Sequence, residues 1–239
     1  MNMRIVNTLV KKDFKNCILN KNLLISLLIP VFFCVLYRYL LNGVADLSGT
    51  YVLQMCAIFA IGIVPTTILP LMIAEEKEKY SLRSLMLANV SGSEFLCAKL
   101  EVCVSLTFLD AMLVFFIAGG KMDYIVIYAV MILIASLGLS FLGAVAGLLS
   151  KDQTAAGTIG MPLMLITMLP PLFSGMSEML SKAAIVVPTT SFQTVFLSAA
   201  EGERLAGKGN IIAVAVCVAW MIVGYAVFHI FYKRKGIDV

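Results

Sequence analysis

Glu75-Glu76-Lys77-Glu78-Lys79-Tyr80-Ser81-Leu82-Arg83-Ser84-Leu85 is a charged stretch that separates two long apolar runs. With 61% hydrophobic and 13% charged residues and a mean hydropathy of +0.98, the 239-residue chain is far more apolar than a soluble domain. A chain of this kind lives in a bilayer, where two successive spans need only a short turn between them. A charged helix in that place is positioned to receive a force or a partner.

Working outward from this segment, runs of roughly 18 or more mostly apolar residues are each long enough to cross a ~30 Å hydrocarbon core as a helix. Six such spans are expected, near Leu23–Leu41, Tyr51–Ala74, Leu100–Ala118, Tyr124–Leu149, Thr154–Phe173 and Asn210–Tyr232. They absorb most of the chain and leave no room for a separate globular domain, so the expected fold is a single all-α polytopic membrane domain over residues 1–239. The first run ends in no small-residue cleavage site and is expected to be a retained span. The cysteines, Cys17, Cys34, Cys56, Cys97, Cys103 and Cys217, form no CxxC pair, and neither a disulfide framework nor a zinc site is indicated.

The basic residues set the orientation. Arg4, Lys11, Lys12, Lys15 and Lys21 precede span one, Lys77, Lys79, Arg83 and Lys99 lie between spans two and three, Lys151 follows span four, and Lys233, Arg234 and Lys235 follow span six. Arg38, Lys121, Lys182, Arg204 and Lys208 fall on the other side. The positive-inside rule makes the richer side the cytoplasm and places both termini there, in a multi-pass protein of the cell (plasma) membrane.

Before span one, Ile5, Val6, Leu9, Val10, Phe14 and Ile18 recur near helical spacing with Lys11, Lys12 and Lys15 between them. Residues 1–21 therefore read as a helix lying in the membrane interface, with a solvated orienting tail as the alternative. Residues 174–209 hold two apolar halves, broken at Pro188, each too short to cross. They read as an outer re-entrant hairpin, or else as an amphipathic loop helix.

Few residues offer chemistry. Glu75-Glu76 invites comparison with intramembrane proteases of the EExxxR type, but Tyr80 stands where the arginine should be. The lone histidine, His229, sits near the end of span six, too isolated for a metal or a glutamate-based site. No GxxxxGK motif followed by Ser or Thr occurs, so the chain cradles no nucleotide in the P-loop manner, and no basic patch interleaved with aromatics suggests nucleic acid.

Within the spans, Glu101 and Asp110 are the notable ionisable residues. Nine residues at ~1.5 Å rise put Asp110 roughly 13 Å deeper, near the mid-plane. A carboxylate there costs at least ~2.5–3.5 kcal/mol and needs a polar cavity, a partner or a proton. Asp110 is either part of a substrate route or gate, or a structural carboxyl bonded to a neighbouring helix. Arg38 is expected to snorkel to the headgroups. Gly143 and Gly147 form a GxxxG that packs helices within one subunit or between two. Prolines 30, 65, 70, 162, 170 and 171 either kink helices along a pathway or reflect the tolerance of membrane helices for proline.

Residues 75–99 give helix, turn and re-entry: the charged turn, then Leu82, Leu85, Met86 and Leu87, then Asn89-Val90-Ser91-Gly92, then Ser93 to Lys99 leading into span three. This segment resembles the type-2 ABC transporter permeases, which carry between their second and third spans a pattern close to E-x-E-x-x-T-hydrophobic-x-x-L, a small-residue turn and a short helix ending in Lys. Glu76 and Glu78 stand for the paired acids, Ser81 for the hydroxyl, Leu82 and Leu85 for the apolar positions, Val90-Ser91 for the turn and Lys99 for the closing lysine. Tyr80 replaces the usual glycine before the hydroxyl, and Asn89 replaces the usual proline-containing turn entry.

The resemblance implies a coupling helix seated in a cleft of a separate ATP-binding subunit, with ATP and Mg held there and no cofactor in this chain. Glu76, Lys77, Glu78, Lys79 and Arg83 would make rim ion pairs, Ser81 would supply the motif's hydroxyl, and Leu82, Leu85 and Met86 would fill the groove as anchors. It further implies an exporter of two permease chains, identical or homologous, with two ATPase chains, moving an amphipathic or hydrophobic peptide or drug-like substrate. The alternative is an ATP-independent channel or secondary carrier with Asp110 as its coupling carboxyl.

Overall fold

The computed structural model describes residues 2–41 and 49–235, with side chains to residue 232. Eleven helices account for nearly all of them: α1 Met3–Leu19, α2 Lys21–Leu40, α3 Gly49–Ile63, α4 Leu69–Glu78, α5 Ser81–Leu87, α6 Gly92–Ala118, α7 Ile125–Leu149, α8 Gln153–Phe173, α9 Glu178–Ala184, α10 Pro188–Ala200 and α11 Lys208–Lys235. The fold is all-α, and six helical stretches are long and apolar enough to cross a membrane: Lys21–Leu40, Gly49–Glu78, Gly92–Ala118, Met122–Leu149, Gln153–Phe173 and Lys208–Tyr232. They match the six expected spans. Lys233, Arg234 and Lys235 continue the backbone of α11, but their side chains, and residues 236–239, lie outside the described residues.

The second span is the axis of the molecule. Its most apolar window is 83% buried, against 17% for the first and last spans, because α2, α6, α7, α8 and α10 all pack around it. α3 and α4 are joined by a π-helical turn, Val64–Ile68. Pro65 and Pro70 explain it: a proline has no N–H for the carbonyl four residues back, so the ladder between them is re-registered and Leu69 N–H bonds Val64 O. The Thr66 and Thr67 hydroxyls donate to the carbonyls of Gly62 and Ile63, four residues back.

Two flanking helices press backbone to backbone on this turn. A Cβ on Gly143 of α7 would lie 1.9 Å from Pro65 O, and one on Gly160 of α8 would lie 2.5 Å from Thr66 O. Gly147 completes the seam against Ile73 and Pro70. The GxxxG of span four is thus spent inside this subunit, which removes the alternative of a dimer contact at those glycines.

Two apolar clusters fill the bundle. In one, Phe115, Tyr124, Tyr128, Phe192 and Phe196 interlock α6, α7 and α10, with Phe115 and Tyr128 centroids 5.0 Å apart and Tyr128 donating to Ala111 O at 2.8 Å. The other, around Leu69, Met72, Phe95 and Val102, lies toward the charged end and takes in Val6, Leu9, Val10 and Cys17 of α1. α9 and α10 meet at 98°, with Pro188 opening α10 as its first residue, where a missing N–H costs nothing. Arg38 donates to Ile117 O, so the expected snorkelling cation also caps the end of α6.

Candidate functional site

The charged stretch is two pieces. Glu75 to Glu78 are the last turn of α4, still part of the second span, and α5 follows after a break at Tyr80, whose φ of +56° lies in the left-handed region. α5 closes at Asn89, φ +60°, in a Schellman turn: Val90 N–H bonds Leu85 O at 3.1 Å and Asn89 N–H bonds Met86 O at 3.0 Å. The two departures from the resemblance therefore sit at the two residues that must adopt the left-handed conformation. Ser91 then caps α6 in a capping box with Glu94, whose carboxylate also accepts the Asn2 N–H at the start of α1.

The charged residues at the end of α4 reach several neighbouring helices. Glu75 accepts from Asn16 of α1 and from Asn20 between α1 and α2, both at 3.1 Å, and pairs with Lys79. Glu76 accepts Lys12 at 2.6 Å from α1, Lys99 at 3.3 Å from α6, and the Ser81 hydroxyl of α5. Lys77 donates to the carbonyls of Gly147, Leu148 and Ser150 at 3.2, 2.6 and 3.0 Å, a cation at the C-terminal end of α7. Glu78 accepts both N–H groups of Gln153 at 3.1 Å, an anion at the N-terminal end of α8. One helical turn thus ties together α1, α5, α6, α7 and α8.

At the centre of this hub Lys99 is 1% exposed and also donates to Asp13 at 2.8 Å, while its Nζ lies 5.2 Å from the Phe95 ring centroid. Three carboxylates (Asp13, Glu75, Glu76) meet three ammonium groups (Lys12, Lys79, Lys99), so the cluster is charge-balanced. Burial raises the Asp13 carboxyl above its ordinary range, against the pull of Lys99. The hydrogen bond and charge of Glu75 raise Lys79.

Of the residues expected to face a partner, Glu76 is buried at 4% exposure and is engaged within the chain by Lys12, Lys99 and Ser81. Leu82 is 3% exposed and, with the half-buried Leu85 and Met86, packs on the cluster beneath, because helical spacing puts all three on the inward stripe of α5. The face left open is Tyr80, Arg83, Ser84 and Leu87, with Tyr80 78% and Leu87 79% exposed. Glu101 is exposed on the surface of α6, away from the hub's contacts, whereas Asp110 is buried and its Oδ2 has no hydrogen-bond partner among the described residues.

Asp13, Asn16, Asn20 and Lys99's role at the centre were missed from the sequence. One signal was present: Asp13 lies on the same helical stripe as Val6, Val10 and Cys17, an acid where α1 should be apolar.

Residues 39–231 match the model of a family described as ABC-2 family transporter protein. The chain belongs to the ABC-2 transporter family. This ABC-2 protein is accordingly a multi-pass membrane permease of an ABC transporter, the membrane component that associates with an ABC ATPase subunit. The match takes in Glu75 to Lys99 and leaves out α1, the other half of the hub. No curated protein matches the chain.

Proposed function

We propose that this ABC-2 permease works as an exporter of amphipathic or hydrophobic peptides or drug-like molecules, two permease chains with two ATPase chains, its termini in the cytoplasm and ATP and Mg bound only by the ATPases. The outer face of α5, with Tyr80, Arg83, Ser84 and Leu87, is the docking surface, and the end of α4 carries its displacement into the bundle. The observation that carries this reading is the hub. The Glu76 carboxylate joins α5 to α1 and α6, and Lys77 and Glu78 grip the facing ends of α7 and α8. An apolar and aromatic patch around one arginine also has the composition of an interface centre.

Co-purification tests it. The tagged wild-type chain should bring down an ATPase subunit, and Arg83→Glu with Leu87→Asp should abolish that recovery while the permease keeps its yield and elution profile. Recovery of the ATPase undiminished by both substitutions would remove α5 as the docking element, and no ATPase with the wild type would remove the ATP-driven mechanism.

A further inference from the structure

Beside the hub, α1 and the end of α4 form an open pocket of about 300 Å³ lined by Lys12, Lys15, Asn16, Leu19 and Lys79. The carboxylates in its wall, Glu75 and Glu76, are buried and engaged, the first by Asn16, Asn20 and Lys79, the second by Lys12, Lys99 and Ser81. Lys12 and Lys79 are only half committed: their side chains are 45% and 62% exposed, each ammonium has three donors, and one is given to a carboxylate. Lys15, exposed, has no ion pair among the described residues and leaves the lip net positive.

Exposed apolar residues follow the cationic lip along the chain, with the exposed Lys21 and Asn22 among them. Leu19 is 68% exposed, its neighbour Ile18 64%, and Ile25 on α2 62%. The lip lies at the charged ends of the second and third spans, and Ile25 lies one turn into the first span; the charged ends of spans are where lipid headgroups lie. A net positive pocket with exposed apolar side chains beside it fits an amphiphile with an anionic head.

We propose that this cavity is a headgroup site for an acidic glycerophospholipid, its phosphate held by Lys15, Lys12 and Lys79 and the start of its acyl chain laid on Leu19 and Ile25. A zwitterionic headgroup brings its own cation to a lip that already has one in excess, so the net charge of the lipid decides occupancy.

Native mass spectrometry of the purified full-length permease tests this with three probes: phosphatidylglycerol, phosphatidylcholine of the same chains, and water-soluble glycerol phosphate. Phosphatidylglycerol should be retained most tightly. Lys15→Gln should weaken it about fivefold, Lys15→Arg should retain it, and Lys121→Gln, the same charge loss at the other end of the bundle, should change nothing. Equal retention of the two lipids, or unaltered binding by Lys15→Gln, would overturn the proposal. Glycerol phosphate competing as well as the lipid would also overturn it, by making the site one for a soluble phosphate.

Discussion

Lys99 is the residue on which the charged end of the bundle turns. An ion pair taken out of water gains little over an apolar core of the same shape, but removing one partner strands the other charge. Lys99→Met leaves Asp13 buried with no cation in contact and takes one of two from Glu76, so it should lower unfolding stability by about 3–5 kcal/mol, read as a large fall in thermal midpoint in detergent.

Asp13→Asn should behave differently. The folded pKa of Asp13 is raised, so folding favours the protonated carboxyl, and its contribution is fully present below its ordinary pKa and lost as pH rises through the folded value. The asparagine keeps an acceptor for Lys99 and has no such loss. Its midpoint relative to wild type should therefore climb as pH is raised from 4 upward, in thermal scans across a pH series, and a constant or falling difference would show that Lys99 outweighs burial at Asp13. None of this was legible in the sequence, because Asp13 and Lys99 are 86 positions apart and only the misplaced acid on the stripe of α1 hinted at a partner.

At the scale of elements, the six spans were readable because each is a long apolar run, and the break at Pro188 was readable because proline suits a helix start. The bounds of α4 and α5 were not. Charge marks where a helix can leave the bilayer, not where it ends, and Glu75 to Glu78 stay helical because five neighbours satisfy them. The actual end is set by backbone conformation at Tyr80 and Asn89.

A left-handed φ costs most residues about 1–2 kcal/mol, and Asn tolerates it through its short polar side chain. Asn89→Val should thus destabilise by about that amount, whereas Asn89→Gly should be close to neutral, in the same thermal assay. Gly143→Ala places a methyl carbon 1.9 Å from Pro65 O, so α7 must move off the π turn, at a cost of about 1–3 kcal/mol. The equivalent change at Gly175, where an added Cβ meets no atom within 4 Å, should cost far less. The GxxxG was visible in the sequence, but its partner was not, since Pro65 belongs to a different span.

For the whole molecule, the hub bonds the end of α4 to α1, α5, α6, α7 and α8 at one place. In the mechanism proposed above, the ATPase is the source of force, and the charge-balanced cluster is the route by which a push on α5 would reach α1, α6, α7 and α8 together. Two grips of opposite sign, Lys77 on α7 and Glu78 on α8, hold the connection between those helices at the same point.

Hydrogen–deuterium exchange of the permease with its co-purified ATPase, with and without a non-hydrolysable ATP analogue, tests that linkage most directly. Exchange should change in concert in α5, in α1 around residues 12–20 and in the α7–α8 connection around residues 147–153, and the Glu76→Gln, Lys77→Met double variant should confine the change to α5. A wild-type change confined to α5, with α1 and the α7–α8 connection unmoved, would contradict the account.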